Sequence, residues 1–323
     1  MIWGSALAEH PGHRPRRLAV IVGAAVTVAL LTGCAWSDRE ETGALVAAPT
    51  GLEHVHGLGW DPVTGLTYAA AHSGVWVIPT DTLPDTYPTS PTPPADEGAG
   101  AGPIAGRAQD TIGFTITPEG AFYASGHPDP ADSSAPGPNL GLIRSTDAAA
   151  TWEPLSLSGE TDFHDLATVA LTDTATRVYG YDASRGVILR SDDSGAAWTQ
   201  AAEMPLRDLT ADPERPDRVF ATTETGLQVS EDAAVTFRPV SGTPALFLVD
   251  SSAGGKLVGV DVDGTLWTGT LEGSWQSHGT LEGQPEAFAL VDGEEQWVLA
   301  ADERGVVASG DYGRTWTVLR PSS

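Results

Sequence analysis

Five histidines carry the chemistry this sequence could do. They are His54 and His56 in Glu53-His-Val-His-Gly57, His72 in Ala71-His-Ser-Gly74, His127 in Ser125-Gly-His-Pro128 and His164 in Asp162-Phe-His-Asp165. A neutral imidazole is a ligand for Zn²⁺ or Cu²⁺, and a protonated one donates to polar oxygens. Carboxylates come to the same rim from units two, three, four and six, at Asp110, Asp165, Asp182, Asp208, Glu224 and Asp302. They can orient imidazoles around a metal or act as acid and base in hydrolysis. Three readings follow. One is a metal site drawn from His54, His56, His127 and His164. Another grips a polar, glycan-like ligand with all five histidines, Asp110 and Arg207, and hydrolyses it through candidates among Asp165, Asp182 and Glu224, with Tyr181 a nucleophile by position. In the third, the histidines only hydrogen-bond backbone in tight turns.

These positions span more than a hundred residues, so their meeting depends on the fold. Four octapeptides resemble one another: Ser145-Thr-Asp-Ala-Ala-Ala-Thr-Trp152, Ser191-Asp-Asp-Ser-Gly-Ala-Ala-Trp198, Ser230-Glu-Asp-Ala-Ala-Val-Thr-Phe237 and Ser309-Gly-Asp-Tyr-Gly-Arg-Thr-Trp316. A degenerate copy, Thr270-Leu-Glu-Gly-Ser-Trp275, fills the widest gap. An aspartate can accept backbone N–H groups just ahead of it and so close a tight turn. A glycine then supplies positive φ, and the aromatic residue opens the next strand as an anchor. The aspartates Asp147, Asp193, Asp232 and Asp311 are therefore structural. These segments resemble the Asp-box, or BNR repeat, Ser-x-Asp-x-Gly-x-Thr-Trp, and only the last copy matches it in full.

Around each box short β-rich runs recur between turn residues, four to a unit of about 40 residues, which is the signature of a propeller blade. In one unit the runs are Asp208–Ala211, Arg218–Thr222, Gly226–Ser230 and Thr236–Val240. Six units follow: His54–Gly106, Gln109–Leu157, Phe163–Ala202, Leu206–Gly242, Ala245–His278 and Pro285–Arg320. The fold expected is all-β, a monomeric six-bladed β-propeller of four-stranded antiparallel blades with Asp-box hairpins. A Pro-rich stretch at about 81–102 reads as a surface insertion in unit one. Strands alternate in direction, so the start of a first strand and the end of a second share one rim. All five histidines then gather at one mouth of the central channel, opposite the box hairpins.

The first 33 residues read as an export signal. Arg14, Arg16 and Arg17 precede an apolar run, Leu18 to Leu31, too short to span a bilayer. The run ends in Leu31-Thr32-Gly33-Cys34, which resembles the lipobox of bacterial lipoproteins. That resemblance implies lipidation at Cys34, a tether over 34–50, a propeller over 51–323 and an extracytoplasmic, membrane-anchored location. A single cysteine excludes an internal disulfide and a cysteine-based zinc cage. With 43 acidic and 17 basic residues the formal charge is −26, which argues against a nucleic-acid partner.

Nearly the whole propeller region resembles bacterial Asp-box lipoproteins of the BNR superfamily. Glu53-His-Val-His-Gly57, Ala124-Ser-Gly-His-Pro-Asp129 and Asp162-Phe-His-Asp-Leu166 look like phrases of a group labelled glycosylhydrolases. The superfamily also holds sialidases, receptors and assembly factors, so the resemblance implies fold more than reaction. The Arg-Ile-Pro motif of sialidases is missing from this sequence, and an acidic mouth repels an anionic sugar. Both observations argue against sialidase activity. A glycosylhydrolase-like enzyme, a Zn or Cu binding surface protein and a non-catalytic scaffold are the functions left.

Overall fold

Short runs of β-branched and aromatic residues, each closed by Gly, Asp or Pro, direct this chain into antiparallel hairpins. The computed structural model describes residues 52–89, 102–135 and 137–322. Within them six antiparallel sheets form a six-bladed β-propeller with almost no helix. Blade one is β1 (Val55–Asp61), β2 (Leu66–Ala71) and β3 (Gly74–Ile78). Blade two is β4 (Asp110–Ile116), β5 (Phe122–His127), β6 (Leu142–Ser145) and β7 (Glu153–Ser156). Blade three is β8 (Phe163–Thr172), β9 (Ala175–Asp182), β10 (Val187–Ser191) and β11 (Thr199–Glu203). Blade four is β12 (Asp208–Ala211), β13 (Val219–Thr223), β14 (Gly226–Ser230) and β15 (Arg238–Pro239). Blade five is β16 (Leu246–Ser252), β17 (Lys256–Asp261), β18 (Thr265–Thr270) and β19 (Gln276–Thr280). Blade six is β20 (Ala287–Val291), β21 (Trp297–Asp302), β22 (Gly305–Ser309) and β23 (Thr317–Pro321). Blade one has three strands among the described residues, and the other five have the four expected.

First strands line the channel and pack in turn around it, with β1 against β20 closing the ring. Six hydrophobic clusters fill the wedges between blades. Trp152, Trp198, Phe237, Trp275 and Trp316 are each half-buried in one of five wedges, against the preceding blade. The sixth wedge, between blades six and one, is filled differently. Tyr87 from the Pro-rich stretch is fully buried there, its ring 5.4 Å from Trp297 and its hydroxyl 2.5 Å from Thr67 Oγ1. Trp297 and Trp60 donate their indole N–H groups to the carbonyls of Thr86 and Pro88. Residues 81–89 thus form a strap that contributes core, where the sequence had suggested only a surface insertion.

The four octapeptides form one turn four times, each joining a third strand to a fourth. The serine hydroxyl donates to the aspartate at 2.7–2.8 Å and accepts the N–H four residues on at 2.7–2.9 Å. The aspartate accepts the N–H of Thr151, Ala197, Thr236 or Thr315. Three of those residues add a threonine hydroxyl bond, which Ala197 cannot make. The export signal, Cys34, the tether and residues 90–101 lie outside the described residues.

Candidate functional site

Two local devices aim the histidines. The first is a β-bulge at the second residue of an inner strand. Register shifts between Val55 and Gly57 and between Phe163 and Asp165 leave His56 and His164 as the extra residues. Bulges re-aim side chains and occur beside functional sites. The same shift isolates Ile112 in blade two and Phe247 in blade five. The second device is the end of a second strand. His127 closes β5 directly opposite Asp110, which opens β4, and His72 follows β2 in the turn to β3. Gly126 sits beside His127 at φ 140°, where a Cβ would lie 2.1 Å from the Asp110 carbonyl oxygen. Only glycine lets the two strands approach there.

The structure brings all five histidines together. The His72 ring packs edge-on against His54 at 5.3 Å and His56 at 4.5 Å. His72 Nδ1 lies 2.9 Å and His56 Nε2 3.8 Å from the same oxygen, Asp110 Oδ1. His127 Nδ1 lies 3.3 Å from the other oxygen, Asp110 Oδ2. His127 Nε2 then faces Asp162 Oδ2 at 3.5 Å, and His164 Nε2 reaches that same oxygen at 3.0 Å. The result is a continuous alternation of imidazole and carboxylate across blades one, two and three.

Inside this cluster His56 Nε2 and Asp162 Oδ1 are buried without a hydrogen-bond partner. Burial, with His72 alongside, pushes the His56 imidazole down to about 4, against the pull of Asp110. His56 is therefore a neutral, lone-pair-bearing ring at pH 7. His164 moves the other way, raised by its hydrogen bond to Asp162. His56, His72 and Asp110 offer donor atoms that all lie within 4.8 Å of one another. A tetrahedral ion with ligands near 2.0–2.1 Å wants donors about 3.3 Å apart, so small side-chain shifts suffice.

The mouth opens onto the channel, a cavity of about 300 Å³ lined by inner strands from every blade. Arg207 lies at its edge, stacked 4.6 Å over the Phe247 ring and donating at 3.4 Å to the Glu286 carbonyl across the ring. Glu286 accepts the Val55 N–H beside the histidines. Deeper in, Asp165 and Asp208 line the wall. Burial and its neighbour Asp208 raise Asp165 well above the usual carboxylate range, and burial raises Asp208 to about 7. Asp208 Oδ2 accepts the Val249 N–H at 2.6 Å, a bond between blades four and five.

The remaining candidates stand elsewhere. Asp182 is buried in the β9–β10 turn, holding Ser184 and the Arg185 N–H. Tyr181 is buried in the wedge between blades three and four, its hydroxyl accepting the Leu206 N–H. Glu224 lines a separate groove with Met204, Pro205 and Phe237. Asp302 is tied to Arg304 and the Glu282 N–H. Strand alternation brought these carboxylates to the right rim, where a turn holds Asp182, an ion pair holds Asp302 and a separate groove takes Glu224. Asp182, opposite Phe163, also adds to the pull that raises His164. Of the four histidines expected to share a metal, the convergent set keeps His56 and takes His72 and Asp110 in place of the others. Asp162 was not foreseen as a site residue. It lies just before β8, and the bulge at His164 sets that ring against it, so strand alternation gave no signal for the pair.

The fold and this mouth define a six-bladed propeller with a histidine–carboxylate site at one end of its channel. No family model and no curated protein matches the chain. Solved structures do match in fold. The GH74 enzyme of Niastella koreensis aligns at 15% identity and TM-score 0.54 over 83% of this chain and 37% of its own. The GH74 xyloglucanase of Xanthomonas campestris aligns at 20% and 0.51 over 84% and 46%. A gluconolactonase of Xanthomonas campestris aligns at 12% and 0.57 over 80% and 86%. This chain spans less than half the length of the two GH74 enzymes, and at such identities the likeness is one of fold.

Proposed function

We propose that this protein is a tethered, extracytoplasmic propeller of the Asp-box lipoprotein type whose mouth holds a transition-metal ion. His56, His72 and Asp110 are the ligands, and the ion's open position, facing the mouth, takes a polar ligand. One observation carries the reading: three donors converge, and His56 Nε2 among them is buried with no hydrogen-bond partner. A buried polar atom left unpaired costs roughly 1–3 kcal/mol, and an ion bound there removes that cost. Two imidazoles and a carboxylate suit Zn²⁺ or Cu²⁺. The fold likeness to a xyloglucanase and a gluconolactonase supports a sugar-derived ligand, with the ion orienting or polarising an oxygen of it. Arg207 and Asp165 line the same cavity as His56 and are groups to address that ligand.

The test is metal content and Zn²⁺ titration of the untagged full-length chain. Bound metal is expected, and His72→Ala should weaken its binding by at least about 100-fold, more than loss of an outer partner does. A chain that neither carries nor takes up Zn²⁺ or Cu²⁺ removes the reading.

A further inference from the structure

The cluster has a second half that the first ion does not use. Asp162 is 8% exposed, and its Oδ1 is buried without a hydrogen-bond partner. Among the described residues neither lysine nor arginine pairs with it, and its Oδ2 is faced by two imidazole nitrogens, His127 Nε2 at 3.5 Å and His164 Nε2 at 3.0 Å. A buried carboxylate needs a compensating cation, which either a protonated His164 or a bound metal ion supplies. His127 shows where one belongs. When its Nδ1 donates to Asp110 Oδ2, its neutral tautomer turns the Nε2 lone pair toward Asp162 Oδ2, also a lone pair. Two lone pairs facing each other repel unless a proton or a metal ion lies between them.

The geometry points to a second metal site, built from His127, Asp162 and His164 and linked to the first through Asp110. Asp110 then has two duties. Oδ1 ligates the first ion, and Oδ2 accepts from His127 Nδ1 and fixes that ring's tautomer for the second, the carboxylate–histidine–metal arrangement found at many metal centres. Among the described residues only His56, His72 and Asp110 bring three donor atoms within 4.8 Å of one another, so His127 and His164, whose side chains are about half exposed, must turn to close this second set. His164 is available because the β8 bulge releases it from the ladder. Two ions set apart by the Asp110 carboxylate and the His127 ring suit a ligand presenting two separated oxygen donors, a requirement met by a sugar acid.

The inference rests on the proposed mouth, and stoichiometry separates the two. Zn²⁺ is titrated calorimetrically into the metal-free, untagged full-length chain, with bound metal counted after desalting. Two equivalents are expected. Asp162→Asn and, separately, His164→Ala should each leave one equivalent, while His72→Ala should remove the other. His164→Ala changes a half-exposed side chain and guards against a folding defect in Asp162→Asn, and circular dichroism verifies both. One equivalent in the unaltered chain overturns the second site and leaves the first standing. Two equivalents persisting in Asp162→Asn also overturn it, as does loss of both ions in His164→Ala with the fold intact. No binding at all removes both readings.

Discussion

A carboxylate oxygen enclosed by protein without a donor must be stabilised by something else: Asp162 Oδ1 is such an oxygen in the mouth, and Asp165 Oδ2 is another in the channel wall. That His56 and His164 stand at the openings of first strands was readable from the sequence, because strand order repeats from unit to unit. Pairing of one carboxylate with two histidines was not, since it depends on which blades adjoin. The octapeptides show the same division. Ala149 and Ala234 occupy the glycine position of the motif with φ of 67° and 62°, a conformation costing an alanine about 1–2 kcal/mol. Ala149 is buried in the wedge between blades one and two, so its methyl returns roughly 0.8 kcal/mol, and glycine brings its own penalty of roughly 0.5–1 kcal/mol. These terms nearly cancel. Ala149→Gly should therefore change unfolding free energy in urea by less than about 1 kcal/mol. A gain of several kcal/mol would mean the turn is far more strained than its hydrogen bonds indicate.

At the scale of elements, the six units and their strand order were legible because hydrophobic alternation and turn residues repeat every 40 residues or so. The bulges and the strap were not. A bulge adds one residue to one strand of a pair, and nothing in local propensity separates Val55-His-Gly57 from regular strand. In the strap, proline and threonine mark extended chain, and only the neighbouring wedge determines that Tyr87 is enclosed. Blade one lacks an octapeptide and so lacks the aromatic residue that other blades place against the preceding one. Tyr87 occupies that space beside Trp297. Tyr87→Ala should destabilise the propeller by about 3–5 kcal/mol through the cavity it leaves. Tyr87→Phe, which keeps the ring and loses only the bond to Thr67, should cost about 1 kcal/mol. Equal effects of the two substitutions, measured by urea denaturation, would show that the wedge does not depend on the ring.

The molecule closes its ring by packing and by side chains that reach from one inner strand to the next, since every blade is built from consecutive strands. Asp208 accepts the Val249 N–H, Asp250 the Leu290 N–H and Glu286 the Val55 N–H, so blades four to six and then one are linked in order. These links sit in a desolvated channel wall, and burial is the largest cause raising Asp165, Asp208 and Asp250. Asp208 is raised to about 7, against about 3.9 for an unfolded aspartate. Between those values the folded protein holds a proton that the unfolded chain has released, so the native state binds more protons and stability declines as pH rises. The contribution is complete below about pH 4 and is lost as pH passes through about 7. The charge of −26 adds self-repulsion in the same direction, so the wild-type slope alone does not isolate Asp208. Asp208→Asn does, because the amide oxygen can still accept the Val249 N–H while no proton is taken up. With a chelator present to keep metal out of the balance, unfolding free energy of the unaltered chain should fall from pH 5 to pH 8, and the variant's should fall less steeply. Parallel profiles for the two proteins would mean that Asp208 is already ionised in the folded ring. The channel would then be a more strongly charged cation path toward the histidines than its burial suggests.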